Sequence, residues 1–210
     1  MAQIHYTCML AMSLDSRIGT HALESDEQRT ELGLSSKEDH LRLLQEISAS
    51  DAIVIGANSI RANQGKLPGT EDESARAHWY ILATKPCSIH PESQGKATIV
   101  SPSPINAASN LTYGEESSAV DWLDSYFHTQ RYKKILVLGG ETVYNQYLSS
   151  QIVKRLLVTI CPVIIGTPNA PSFFSAQLPD HTRWKLLQCD KIDQHIFLEY
   201  QHENHTTPQN

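Results

Sequence analysis

No Gly-x-Gly-x-x-Gly fingerprint and no phosphate-binding Gly-x-x-x-x-Gly-Lys loop occurs in this 210-residue chain, so neither common nucleotide-binding turn accounts for it. There is no Cys-x-x-Cys pair either. Cys8, Cys87, Cys161 and Cys189 are widely scattered, and all but Cys87 sit in apolar, strand-like surroundings. That predicts reduced core thiols and a cytoplasmic location. The histidines form no cluster at metal-ligand spacing, so no metal is expected. Apolar runs are short or broken, the strongest lying around Ile53–Ile55, Ile135–Leu138 and Leu156–Ile165, which excludes a membrane helix. Residues Met1 to Tyr6 show no basic region leading into an apolar core, so no secretory leader is visible. Positive charge is in deficit: the net charge of −6 argues against a general nucleic-acid binder.

What is present fits an ordinary globular protein, with 40% hydrophobic and 19% charged residues. No internal repeat or convincing linker divides the chain. A single domain over residues 1–201 is expected, followed by a disordered polar tail over 202–210. Residues 4–14 are almost continuously apolar and read as a strand buried on both faces, followed by a polar loop through Leu34. Ser35 and Glu38 stand at capping-box spacing ahead of a helix that buries Leu41, Leu43, Leu44 and Ile47. Ala52–Ile55 is a second buried strand ending at Gly56, with a short helix over Asn58–Ala62. Trp79–Ala83 and Ala97–Val100 are further strands, and 101–118 reads as surface loop. A helix marked by Val120, Leu123, Tyr126 and Phe127 leads to a strand at Ile135–Leu138. Arg155–Ile165 reads as a long strand whose Pro162 implies an edge position or a bulge. Lys185–Cys189 and His195–Tyr200 form an antiparallel hairpin. The pattern is α/β, three-layered, with a mostly parallel central sheet and an antiparallel C-terminal edge.

The most informative stretch is Lys134-Ile135-Leu136-Val137-Leu138-Gly139-Gly140-Glu141-Thr142-Val143-Tyr144. A strand that stops at two glycines and feeds a helix lets backbone amides and a positive helix end approach a phosphate closely. Two other strand ends also carry special residues, Ala11–Gly19 and Gly56–Leu67. In open α/β sheets ligands gather beyond the carboxyl ends of strands, so the three loops can share one cleft.

Leu10-Ala11-Met12-Ser13-Leu14-Asp15-Ser16-Arg17-Ile18-Gly19 resembles the Ser-Leu-Asp-Gly-Arg-Ile segment in the reductase domain of riboflavin-biosynthesis deaminase/reductases. Asp51-Ala52-Ile53-Val54-Ile55-Gly56-Ala57-Asn58-Ser59-Ile60-Arg61-Ala62 is similar to that family's Asp-Ala-Ile-Leu-Val-Gly-Ala-x-Thr-x-x-Ala segment. Gly139-Gly140 and Val158–Gly166 match its closing third. The matches come in family order over roughly residues 5–170, and the family belongs to the dihydrofolate reductase-like superfamily. The zinc ligands of the family's deaminase half have no counterpart: His21-Ala22-Leu23-Glu24 has the wrong spacing and Pro86-Cys87 lacks a second cysteine.

The resemblance implies a dihydrofolate reductase-like fold, NADPH as cofactor, a small heterocyclic substrate and a homodimer. The implied reaction is reduction of 5-amino-6-(5-phosphoribosylamino)uracil, or the equivalent diaminopyrimidine, to its ribitylamino product. Gly56, Ala57, Ser59, Gly139, Gly140, Glu141, Thr142 and Val143 would face the cofactor, with Ala11 beside the nicotinamide and Arg61 on the 2′-phosphate. Asp15 and Asp39 are the candidate catalytic carboxylates; Asp39 opens a helix seventeen residues ahead of Gly56. Ser36, Asn63 and Leu67 would touch substrate. Four positions depart from the family pattern. Asn63 replaces an acid, Gly65 a proline, Met9 a basic residue and Leu138 a glutamate. On that basis Asn63→Asp should preserve or raise activity. A pterin-type reductase of the same superfamily and a non-catalytic nucleotide-binding homologue are the alternative readings.

Overall fold

The computed structural model describes residues 3–69, 76–90, 95–107, 109–175 and 182–203. The sequence predicts a disordered tail over 202–210, but His202 ends the chain's last strand, and residues 204–210 lie outside the described residues. The elements are β1 (His5–Met12), α1 (Asp26–Glu31), α2 (Lys37–Ala49), β2 (Ala52–Gly56), α3 (Ala57–Ala62), β3 (His78–Leu82), β4 (Ala97–Ser101) and β5 (Asn110–Thr112). They continue with α4 (Ala119–Gln130), β6 (Lys134–Val137), α5 (Glu141–Ser149), β7 (Val153–Ile160), β8 (Trp184–Ile192) and β9 (His195–His202). All nine strands join one sheet in the order β5-β4-β3-β2-β6-β1-β7-β9-β8. Strands β5 through β7 in that order pair in parallel, and β7-β9-β8 pair antiparallel. The α/β class, the central parallel sheet and the antiparallel C-terminal hairpin are as the sequence implies.

Period-2 alternation sends each central strand's side chains into two cores. Ala52 and Val54 of β2, Ile135 and Val137 of β6, and Cys8 and Leu10 of β1 pack with Val120, Leu123 and Phe127 of α4 and Val143 and Tyr147 of α5. Ile53 and Ile55, Leu136 and Met9 face the opposite way, against Ile47 of α2 and Ile60 of α3. Helices therefore cover both faces, and strands with no wet face need no polar alternation.

Several local expectations are corrected. The segment before Leu34 contains α1, capped by a reciprocal Ser25–Gln28 box and burying no residue. The cap of α2 is Ser36, one residue later than expected, and its hydroxyl accepts from the Asp39 amide. Leu41 is 49% exposed; Asp39 and Ile47 are the buried positions of α2. The 101–118 segment supplies β5. β7 is an interior strand that ends at Ile160, so Pro162 lies beyond it, after the Cys161 amide donates to Met12 O. Cys87 is buried and Cys189 exposed, the reverse of the expected pair. Cys189 sits on β8, an edge strand, whose apolar residues Leu186, Leu187 and Ile192 stand exposed. No helix among the described residues is long and apolar enough to cross a membrane.

Candidate active site

β2, β6 and β1 are neighbours in the sheet, so the three marked loops do emerge side by side at its carboxyl end. Two adjoining chambers open there. The smaller, about 270 Å³, lies between the β2–α3 and β6–α5 turns. The larger, about 730 Å³, lies between α1, α2 and the ends of β1 and β6. Ile18, Arg29, Ser59 and Gly140 line both, and mark where the two meet.

The smaller chamber is built on close backbone approach. The Gly56 amide donates to Gly139 O at 3.0 Å, and a Cβ on Gly56 would stand 3.2 Å from that oxygen. Gly139 and Gly140 have φ of +54° and +70°, a region that glycine occupies without steric cost. Gly140 caps α5 with no side chain, leaving the first amides of a nine-residue helix without a side-chain partner. Ala57, Ser59, Arg61, Glu141, Thr142 and Val143 line the same space, so nine of the ten expected cofactor residues come together. Ala11 does not; it lines the larger chamber. The Glu141 carboxylate accepts from the Ser172 hydroxyl. The Arg61 guanidinium donates to Asn58 Oδ1 and to the carbonyls of Lys85 and Pro86. Those acceptors are neutral, so the cationic charge stays available at the chamber wall. Uncapped amides, a side-chain-free turn and an unneutralised arginine suit a dinucleotide phosphate group.

Among the described residues, the larger chamber holds one buried carboxylate. Asp39 is 9% exposed and accepts from the Thr159 hydroxyl. Burial pushes its pKa up, while the Thr159 bond and the charges of Arg29, Arg42 and His195 oppose the shift. Ser36, Asn63 and Leu67, which the resemblance assigns to substrate, line the same chamber, and Met9 and Leu138 give it an apolar floor.

Asp15 is the exception. Its carboxylate lines neither chamber. It accepts from the Ser13 hydroxyl and from the Ile165 and Gly166 amides, tying the β1 loop to the loop after β7. Those donors lower its pKa to about 2. A carboxylate held ionised by fixed donors outside the cleft is a turn clamp, and the catalytic expectation for Asp15 is withdrawn.

Sequence reasoning missed α1. Asn63 Nδ2 donates to Asp26 Oδ2 and to Ser59 O, both at 3.1 Å, and its Oδ1 accepts from the Asp26 amide at 3.0 Å. Arg29, one turn on, donates to Ile18 O. The reading of Asn63→Asp is therefore reversed, because an aspartate there loses a donor and faces the Asp26 carboxylate. The readable signal for α1 was its capping box, Ser25 with Gln28.

Residues 5–198 match the RibD C-terminal domain family. A 2,5-diamino-6-ribosylamino-4(3H)-pyrimidinone 5′-phosphate reductase of Archaeoglobus fulgidus is 25% identical, covering 78% of this chain and 82% of its own. A chloroplastic riboflavin biosynthesis protein of Arabidopsis thaliana is 24% identical over 77% of this chain, which spans only 28% of that protein. Among solved structures, a pyrimidine reductase-like protein of Corynebacterium diphtheriae superposes with a TM-score of 0.73 at 20% identity, covering 96% of this chain and 92% of that one. The riboflavin biosynthesis reductase of Saccharomyces cerevisiae gives 0.67 at 16% identity, covering 96% and 90%. These structures share the fold. With the glycine turns, the ordered motifs and a family match running almost end to end, the chain belongs to the RibD C-terminal domain family.

Proposed function

We propose that this protein is an NADPH-dependent reductase of riboflavin biosynthesis, converting a ring-opened phosphoribosylamino group on a pyrimidine into the ribitylamino product. The observation that carries this reading is the meeting of an amide-rich glycine turn and a chamber with one buried carboxylate at Ile18, Arg29, Ser59 and Gly140. The printed name of the Archaeoglobus relative supports the substrate class. Lys37, His40 and Lys66 line the larger chamber and suit a phosphorylated substrate.

NADPH, bound in the smaller chamber, would supply the hydride. Orientation and water exclusion then account for most of what the protein must contribute. As hydride adds to C1 of the opened sugar, the C=N electron pair moves to nitrogen, which needs a proton. Asp39, the buried carboxylate of this chamber, is the proposed proton source; burial shifts it toward the acid form, and Arg29 and Arg42 would stabilise the carboxylate left behind. Met9 and Leu138 present an apolar surface on which a flat heterocycle can rest.

The test follows NADPH oxidation with the phosphoribosylamino pyrimidine, with dihydrofolate as the competing substrate. Turnover with the pyrimidine supports the reading; turnover with dihydrofolate alone replaces it with the pterin-type one. NADPH should bind at least about tenfold more tightly than NADH, since a charge-assisted contact to the 2′-phosphate contributes about 1.5–3 kcal/mol. Arg61→Ala should erase that preference, and equal affinities in the unaltered protein would remove Arg61 from the role. A homodimer through the exposed β8 edge belongs to the same proposal, and a monomeric mass by light scattering would remove it.

A further inference from the structure

The larger chamber lacks ionisable groups at two floor positions, because Met9 and Leu138 stand there. Charge enters from the side instead, on α1. Asp26, the first residue of that helix, is exposed and lines the chamber. Asn63, at the end of α3, grips it with two bonds, one to its carboxylate and one from its amide, and spends its other donor on Ser59 O. The two residues come from segments 37 positions apart. The contact places a carboxylate and a carboxamide together on one wall.

We propose that Asp26, oriented by Asn63, forms a polyol subsite that accepts hydrogen bonds from hydroxyls of the opened sugar chain. This rests on the reductase reading above and adds to it the residue that recognises the sugar. An ionised carboxylate offers about four acceptor positions and Asn63 occupies one, so adjacent hydroxyls can each find an acceptor. Hydroxyl-to-carboxylate bonds are roughly twice as strong as neutral ones, which suits a ligand of several hydroxyls and no charge of its own along that stretch. Asn63 fixes the carboxylate before the ligand arrives, so less side-chain freedom is lost on binding. An acid at a helix start stabilises that end without any such partner, so the dipole does not account for the Asn63 contact.

Asp26→Ala and Asp26→Asn test this. The readouts are kcat and KM for the phosphoribosylamino pyrimidine, NADPH affinity, and calorimetric binding of the ribitylamino product beside the same pyrimidine without a sugar chain. The expected result is a rise of about tenfold in KM and in product Kd, with NADPH and the sugar-free pyrimidine binding as before. Asn63→Asp should reproduce the rise, since a second carboxylate there loses the donor that holds Asp26 and repels it. A folded Asp26→Ala protein with unchanged KM and product affinity overturns the subsite while leaving the reductase reading intact. Equal losses for the sugar-free pyrimidine overturn it too, since Asp26 then only holds α1 in place. An unaltered protein that neither oxidises NADPH with the pyrimidine nor binds the product overturns both.

Discussion

Gly139→Ala is expected to lower the melting temperature by roughly 10–15 °C, and Gly140→Ala by less, roughly 3–10 °C. A Cβ at Gly139 would stand 2.1 Å from Cζ of Tyr144. That ring cannot swing aside cheaply: it is 4% exposed, and its hydroxyl donates to Met9 O at 2.7 Å. Left-handed backbone costs about 1–2 kcal/mol for alanine, overpacking another 1–3, and a lost buried hydrogen bond about 1 more. A total near 4 kcal/mol corresponds to about 2–4 °C per kcal/mol in a protein of this length. At Gly140 nothing lies within 4 Å of the added atom, so only a backbone term applies, about 1–3 kcal/mol because φ +70° with ψ +163° is a region essentially confined to glycine. That methyl group would project where the cofactor is proposed to lie, and NADPH affinity should fall at least about tenfold in a folded protein. Thermal unfolding and calorimetric titration of both variants check this. A Gly139→Ala protein melting within two degrees or so of the unaltered one would mean Tyr144 has room to move.

Asp39→Asn is expected to reduce kcat by about 100-fold or more while making the protein more stable at neutral pH. The rate loss follows from removing the proposed acid. The stability gain follows from the direction of the shift, because burial raises the Asp39 pKa above its ordinary 3.8. A raised folded-state pKa favours the fold at low pH, and that benefit is lost as pH rises through the raised value and the buried group must ionise. Asparagine never ionises, and its oxygen still accepts from Thr159. Melting temperatures measured from pH 4 to 8 should therefore diverge toward alkaline pH and converge toward about 4. A variant that melts lower than the unaltered protein at pH 8, or keeps most of its kcat, would sink the assignment.

What could be read in advance divides by the range of the contact. The buried strands and the glycine turns were legible because period-2 patterning and steric demand are local. Asp39 was legible from its place in the first turn of α2, but Thr159, which fixes its carboxylate, lies 120 positions away. α1 has no apolar stripe because it buries nothing; Asn63 holds it, and no periodicity encodes that contact. Cys189 misled because alternation along β8 looks like that of any strand, and only the strand order reveals that β8 has a neighbour on one side alone. Pro162 misled in the other direction, since β7 stops two residues before it.

The strand order also sets a timetable. β1 is made first, yet its partners are β6 and β7, beginning at Lys134 and Val153. At about 5–20 residues per second of synthesis, an apolar strand waits on the order of 10 s beside a nascent chain that offers it no partner. Pairing over such sequence separations is slow even after release, because loop closure precedes any reward. Yield in cells should therefore depend on whatever shields His5–Met12 during translation, a demand that the finished molecule, with β1 buried at its centre, no longer displays.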